Sequence, residues 1–121
     1  MSGYTPGSDG YSYKFHKDPV TWPEAKERCE TEGSSLVMIK NPNTQAYLKA
    51  TYGHNEFLIG ISDVANENEF VYVDGSPVKT FYWAENQPDD LNGKEDCVQM
   101  SSGLWVDLPC TYKKSFLCQK G

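Results

Sequence analysis

Phe57-Leu58-Ile59-Gly60-Ile61 is the stretch at which this chain changes character. A short apolar run of this kind reads as a buried strand. Upstream, helix signals dominate. Thr21-Trp22-Pro23-Glu24 forms a capping box with proline tolerated in the first turn. The helix it opens carries Trp22, Ala25 and Cys29 on one face and ends at Gly33. Asn43 is expected to cap a second helix through Ala46, Tyr47 and Ala50, stopped by Gly53. Tyr11, Tyr13 and Phe15 alternate with Ser12, Lys14 and His16, the pattern of a half-buried strand, and Leu36 to Ile39 reads as a short buried one. Downstream, Phe70 to Val73, Cys97 to Met100, Leu104 to Val106 and Ser115 to Cys118 repeat the short apolar signature. Two helices followed by a set of strands give an α+β fold.

The length of 121 residues fits one domain. Residues 1–10 are polar and Gly-rich and are expected to form a flexible leader, leaving 11–121 as the folded unit. With 3 Trp, 8 Tyr and 5 Phe the chain has the aromatics for a modest core, which argues against disorder. No apolar run approaches the ~18 residues of a membrane span, so membrane insertion is not expected. No Lys/Arg cluster marks a nucleic-acid surface. No Asn-x-Ser/Thr acceptor for N-glycosylation occurs.

The four cysteines are Cys29, Cys97, Cys110 and Cys118. An even count without a Cys-x-x-Cys pair favours disulfides over zinc, and His16 and His54 stand at no ligand spacing to a cysteine. Two bridges imply an oxidising compartment, hence a secreted, extracellular setting. Four cysteines allow three connectivities, and spacing does not choose among them. A nested pairing would close one long loop, stabilising by about 4–5 kcal/mol in the chain-entropy model, and one short loop.

Charge is sharply segregated. Residues 63–96 hold nine acids (Asp63, Glu67, Glu69, Asp74, Glu85, Asp89, Asp90, Glu95 and Asp96) and two bases (Lys79 and Lys94), a balance of −7. The rest of the chain balances at +1, so the net −6 resides in about a quarter of the sequence. Crowding that many carboxylates costs electrostatic energy unless a cation is bound or the groups are well solvated. Oxygen donors suit a hard cation, and calcium can order a loop lacking ladder hydrogen bonds. Between Asp74 and Asp96 periodicity is weak, and a stretch longer than ~12–15 residues without regular structure is usually functional or disordered.

These residues, taken in order, resemble the C-type lectin-like domain. The resemblance runs from Tyr11 to Gln119. It rests on the first helix with Cys29, the Phe57–Ile61 strand, Gln87-Pro88-Asp89, Glu95-Asp96-Cys97, Trp105-Val106-Asp107, Cys110, and Phe116-Leu117-Cys118. The resemblance implies the short form of that fold: two helices, small antiparallel sheets, a long calcium-binding loop, and disulfides Cys29–Cys118 and Cys97–Cys110. It implies a principal calcium site from Gln87, Asp89, Glu95 and Asp107, with Val106 where the family has Asn. It implies a second, collectin-like site from Asp63, Glu67, Asp90 and Asp96, with Glu95 able to bridge the two. It also suggests a cis peptide at Pro88.

In that family the ion keeps open positions that two neighbouring sugar hydroxyls fill, while the ligating side chains hydrogen-bond the same hydroxyls; calcium's 6–8 oxygens allow both roles. The Gln-Pro-Asp order resembles the galactose-type motif, with mannose-type binding as the alternative. Exchanging amide and carboxylate around the ion reverses which hydroxyl geometry is satisfied. Two positions depart from the pattern. Val106 offers neither an amide oxygen to the metal nor an N–H to the sugar, and Leu91 stands where galactose binders often carry a stacking aromatic.

Trp22, Trp83 and Trp105 read as core residues, because large aromatics dominate small cores. His16 and His54 read as strand or surface residues, and Lys113-Lys114 as a solvated turn. No catalytic constellation is present: there is no phosphate-cradling glycine loop, no reactive-thiol setting and no nucleophile–base order, so an enzyme is not expected. The expected function is secreted, calcium-dependent glycan binding in microbial or host recognition, in the manner of innate immunity. Self-association would raise the avidity of a weak single site. The alternative is a lectin-like module for a protein, lipid or mineral surface, with calcium purely structural.

Overall fold

The computed structural model describes residues 3–64, 69–84 and 96–121. The elements, in order, are β1 (Thr5–Pro6), β2 (Ser12–Val20), α1 (Trp22–Thr31), β3 (Ser35–Leu36), α2 (Pro42–Tyr52), β4 (Glu56–Ser62), β5 (Val71–Tyr72), β6 (Cys97–Ser101), β7 (Leu104–Leu108) and β8 (Lys114–Lys120). The fold is α+β, as the order of signals implies.

α1 starts where the capping box places it. The Glu24 carboxylate accepts from the Thr21 backbone N–H at 3.1 Å and from its hydroxyl at 3.0 Å. The helix stops before Gly33, whose φ of +76° suits a residue without Cβ. α2 begins two residues earlier than expected. Its N-cap is Asn41, whose side chain accepts the Thr44 N–H at 2.9 Å, and Asn43 lies inside the first turn. The physical reason is Pro42: its fixed φ and missing N–H suit the first helical position.

The sheet explains the apolar run at 57–61. Strand order is β1-β2-β8-β4-β6-β7, with β3 added on β8 and β5 on β4. The expected small antiparallel sheets are joined into one by a parallel step, Leu58 opposite Phe116 between β4 and β8. Side chains of these central strands alternate between two cores. Phe57, Ile59, Ile61 and Leu117 pack with Tyr13, Trp105 and Leu48 of α2. Leu58, Phe116 and Cys118 pack with Trp22, Ala25 and Cys29 of α1. β4 thus has both faces covered, so its sequence is continuously apolar rather than alternating. Gly60 is required by a close backbone approach: a Cβ there would lie 2.5 Å from the Leu36 carbonyl oxygen. The Gly60 N–H donates to the Val37 carbonyl at 2.6 Å. Leu36 to Ile39, expected as a strand, is a strand only over Ser35–Leu36.

Both disulfides are present, Cys29–Cys118 tying α1 to the last strand and Cys97–Cys110 spanning β6 and the segment after β7. β6 and β7 form a hairpin whose two turn residues, Ser102 and Gly103, have φ of +52° and +82°. Positive φ at both positions matches the twist of the flanking strands. Gln45 of α2 anchors the turn, donating to the Gly103 carbonyl at 2.8 Å and accepting from the Trp105 indole at 3.2 Å.

The start of the chain departs from the flexible leader expected of it, as far as residues 3–10 are concerned. Thr5–Pro6 pairs with β2, and Tyr4 is only 7% exposed. Tyr4 donates to Glu32 at 2.6 Å, and Asp9 accepts from the Tyr13 and Thr44 hydroxyls and the Tyr11 N–H. The physical reason is that side chains inside this polar stretch find partners on β2, on α2 and at Glu32, the residue that follows α1. Of those partners Tyr11 and Tyr13 are near in sequence, but Glu32 and Thr44 are distant and leave no local pattern.

Candidate functional site

The last residue of β4, Ser62, pairs with Cys97, the first of β6. One step further the backbone N–H of Asp63 donates to the carbonyl of Asp96 at 2.9 Å. On the neighbouring hairpin Val98 pairs with Asp107. Paired residues share a face and successive residues alternate, so this register puts Asp63, Asp96 and Asp107 on one face at one end of β4, β6 and β7. Leu108 pairs with Cys97, which its disulfide to Cys110 pins, so the strands cannot slide and the three carboxylates keep their register.

Burial makes this end of the sheet unusual. Asp63 and Asp107 are each 2% exposed. Asp96 has one carboxylate oxygen, Oδ1, that is buried and accepts no hydrogen bond among the described residues. Leaving such an oxygen unsatisfied costs about 1–3 kcal/mol, and more when it is charged. A cation satisfies it. The donor set here is all oxygen and all anionic, the chemistry of calcium rather than zinc. Among the described residues Asp63, Asp96 and Asp107 do not bring three carboxylate oxygens within 4.8 Å of one another, so they share a face and an end of the sheet without forming a closed metal cage by themselves.

Of the other residues expected at the site, Glu67, Gln87, Asp89, Asp90, Leu91 and Glu95 lie outside the described residues, as does Pro88. Val106 is half-buried on β7, opposite Gln99 and therefore on the face away from Asp107. Gln99 was not singled out by the sequence reading, although its Oε1 is also buried without a hydrogen bond among the described residues. The available signal was an amide inside the apolar run Cys97-Val98-Gln99-Met100.

The three tryptophans divide between core and margin. Trp105 is fully buried and Trp22 is 8% exposed, with its indole N–H donating to the Ile59 carbonyl at 2.8 Å. Trp83 is half-buried in an aromatic group, 5.2 Å from Phe70, 5.7 Å from Phe81 and 5.9 Å from Trp105 between ring centroids. Ligand-type atoms of His16, Glu32 and Cys118 also gather within 4.8 Å. The Cys118 sulfur is committed to its disulfide and cannot serve as a thiolate ligand. His54 is exposed.

Comparison with known proteins agrees with this architecture. The chain is 36% identical over 125 residues to the hemolymph lipopolysaccharide-binding protein of Periplaneta americana, covering 91% of this chain and 48% of that protein. Across seven curated relatives the chain spans between 3% and 56% of their length. The carbohydrate-recognition domain of the mouse scavenger receptor C-type lectin superimposes with a TM-score of 0.88 at 32% identity, over 97% of this chain and 94% of that one. A calcium-independent type II antifreeze protein superimposes with a TM-score of 0.87 at 26% identity, over 100% of this chain and 93% of that one. The model of the Lectin C-type domain matches residues 18–120. The chain therefore belongs to the family of C-type lectin domains, non-enzymatic binding modules that typically take calcium.

Proposed function

We propose that this domain is a secreted, calcium-dependent glycan receptor. The observation that carries the reading is the buried Asp96 Oδ1, without a hydrogen bond among the described residues, beside the buried carboxylates Asp63 and Asp107. Asp63 and Asp96, with Glu67 and Asp90, would hold one ion; Asp107, with Gln87, Asp89 and Glu95, would hold the other. When bound, the ion supplies coordination positions for a pair of vicinal sugar hydroxyls. The side chains of Gln87, Asp89, Glu95 and Asp107 orient those hydroxyls by accepting or donating hydrogen bonds, and the Gln-Pro-Asp order favours galactose-type geometry over mannose-type. The cockroach relative is named for lipopolysaccharide binding, which favours a microbial glycan and a role in innate immunity. Association into homo-oligomers would supply the avidity that one weak site lacks.

A second reading is favoured by Val106. A branched aliphatic side chain there removes one metal oxygen and one sugar contact, the latter worth about 0.5–1.5 kcal/mol. A structural neighbour with nearly the same fold is calcium-independent. In this reading the domain docks on a protein, lipid or mineral surface and any calcium serves structure only.

Retention on galactose and mannose columns, with calcium and then with chelator, tests the first reading. Calcium-dependent retention supports it, whereas silence across a glycan array at millimolar calcium supports the second. Val106→Asn sharpens the distinction. It should tighten both calcium and sugar binding; no change in either contradicts the assignment of Val106 to the site.

A further inference from the structure

A cavity of about 310 Å³ lies away from the carboxylates, between the N-terminus of α2 and the chain that follows β5. That size is at the low end of small-ligand sites. Its body is apolar: Ile39, Pro42, Tyr72 and Pro77 line it. The Tyr72 hydroxyl is spent on the Ile39 carbonyl and the Lys40 ammonium lies over the ring, 5.5 Å from its centroid, so Tyr72 offers the cavity apolar ring surface beside that ammonium rather than a free donor.

The polar groups at this cavity fall into two sets. Lys40, Ser76 and Asn41 are engaged: Lys40 and Ser76 both bond Asp74, which does not line the cavity, and Asn41 accepts the Thr44 N–H as the α2 cap. The second set is unspent. Lys79 makes no ion pair among the described residues, and the Thr80 and Tyr82 side chains make no hydrogen bond among them. Lys79 is exposed, Thr80 is exposed and Tyr82 is half-buried. Among the described residues, an ammonium without an ion pair and two hydroxyls without a hydrogen bond therefore border an apolar cavity in a chain of net charge −6.

We propose that this cavity is a calcium-independent site for a ring bearing both a carboxylate and hydroxyls, namely a uronic-acid residue of an acidic glycan. The ammonium of Lys79 pairs with the carboxylate in a charge-assisted hydrogen bond. Thr80 and Tyr82 exchange hydrogen bonds with ring hydroxyls. The apolar face of the sugar lies on Tyr72 and the two prolines, as sugar C–H groups pack on aromatic and aliphatic surface. A neutral sugar would leave Lys79 unused, and a flat carboxylate without hydroxyls would leave Thr80 and Tyr82 unused.

The test is an NMR titration of the full chain in chelator with methyl glucuronide, methyl glucoside and benzoate. The glucuronide should shift resonances of Lys79, Thr80 and Tyr82 and leave those of Asp63 and Asp107 in place. Methyl glucoside and benzoate should each bind about tenfold more weakly, the factor expected for one lost charged or multiple neutral hydrogen bonds. Lys79→Ala, at an exposed position, should weaken the glucuronide about tenfold and leave calcium binding unchanged. The proposal is overturned if the glucuronide shifts nothing at this cavity, if methyl glucoside binds as well, or if Lys79→Ala binds it as the parent does. Benzoate binding equal to the glucuronide overturns the sugar assignment. Because chelator is present throughout, failure here is distinct from failure of the calcium site.

Discussion

Asp74 shows how a single residue ties stability to pH. Its carboxylate accepts from Lys40 and from the Ser76 side chain and N–H, and these hold its pKa at about 2, below the ordinary 3.8. A depressed folded-state pKa contributes stability that is fully present above 3.8 and is lost as pH falls towards about 2. The urea midpoint should therefore drop between those values, and Asp74→Asn should flatten that part of the profile. Glu32 follows the same sign. Burial pushes it up, but the Tyr4 hydroxyl, His16 and Lys14 outweigh that and hold it below its ordinary value. Tyr4→Phe removes the hydroxyl and should make the amide protons of residues 4–6 exchange faster, leaving the core amides unchanged.

Elements carry the next set of consequences. Truncating the Asn41 cap to Ala leaves the Thr44 N–H without its side-chain acceptor and should cost about 1 kcal/mol in urea unfolding. Gly60→Ala should cost about 1–3 kcal/mol, since its methyl group would meet backbone that cannot rotate away. A Gly60→Ala protein as stable as the parent would mean that β4 and the 36–37 backbone are not in close contact. Sequence made much of this level legible, and for local reasons. The capping box at Thr21 and the apolar run at 57–61 are short-range patterns. Pro42 was also a signal, since proline at the first helical position would have moved the cap from Asn43 to Asn41. The β1 pairing had no such signal, because Tyr4 reaches Glu32, just past α1, and Asp9 reaches Thr44 of α2 only once the sheet has closed. The alternation at Tyr11–Phe15 marked β2, but its continuation through Lys17 and Asp18 is exposed and polar and carried no hydrophobic pattern.

For the whole molecule the governing facts are one covalent clip and one charged end. Cys29–Cys118 spans 89 positions, so breaking it frees nearly the whole chain in the unfolded state. Replacing both cysteines by Ala should cost about 4–5 kcal/mol in the chain-entropy model, measured as a shift in the denaturant midpoint under oxidising conditions. The charged end was legible in the sequence as an excess of carboxylates in residues 63–96. Which carboxylates share a face was not, because Asp63 follows β4, Asp96 precedes β6 and Asp107 lies on β7, and only strand register puts them at one end of the sheet. Composition pointed to a cation, the family resemblance pointed to positions, and the fold supplied the burial. Lys79, Thr80 and Tyr82 had no sequence signal at all, since a cavity between α2 and the chain after β5 is a property of packing.

Calcium held by these carboxylates should stabilise the native state by mass action, about 2.7 kcal/mol at a hundredfold excess over Kd. Thermal unfolding of the parent and of Asp96→Asn, each at pH 7 with millimolar calcium and with chelator, measures this directly. The account predicts that calcium raises the parent's Tm by several degrees, and that Asp96→Asn loses most of that rise while unfolding normally in chelator. A parent Tm indifferent to calcium, or an Asp96→Asn protein that responds as fully as the parent, would contradict it.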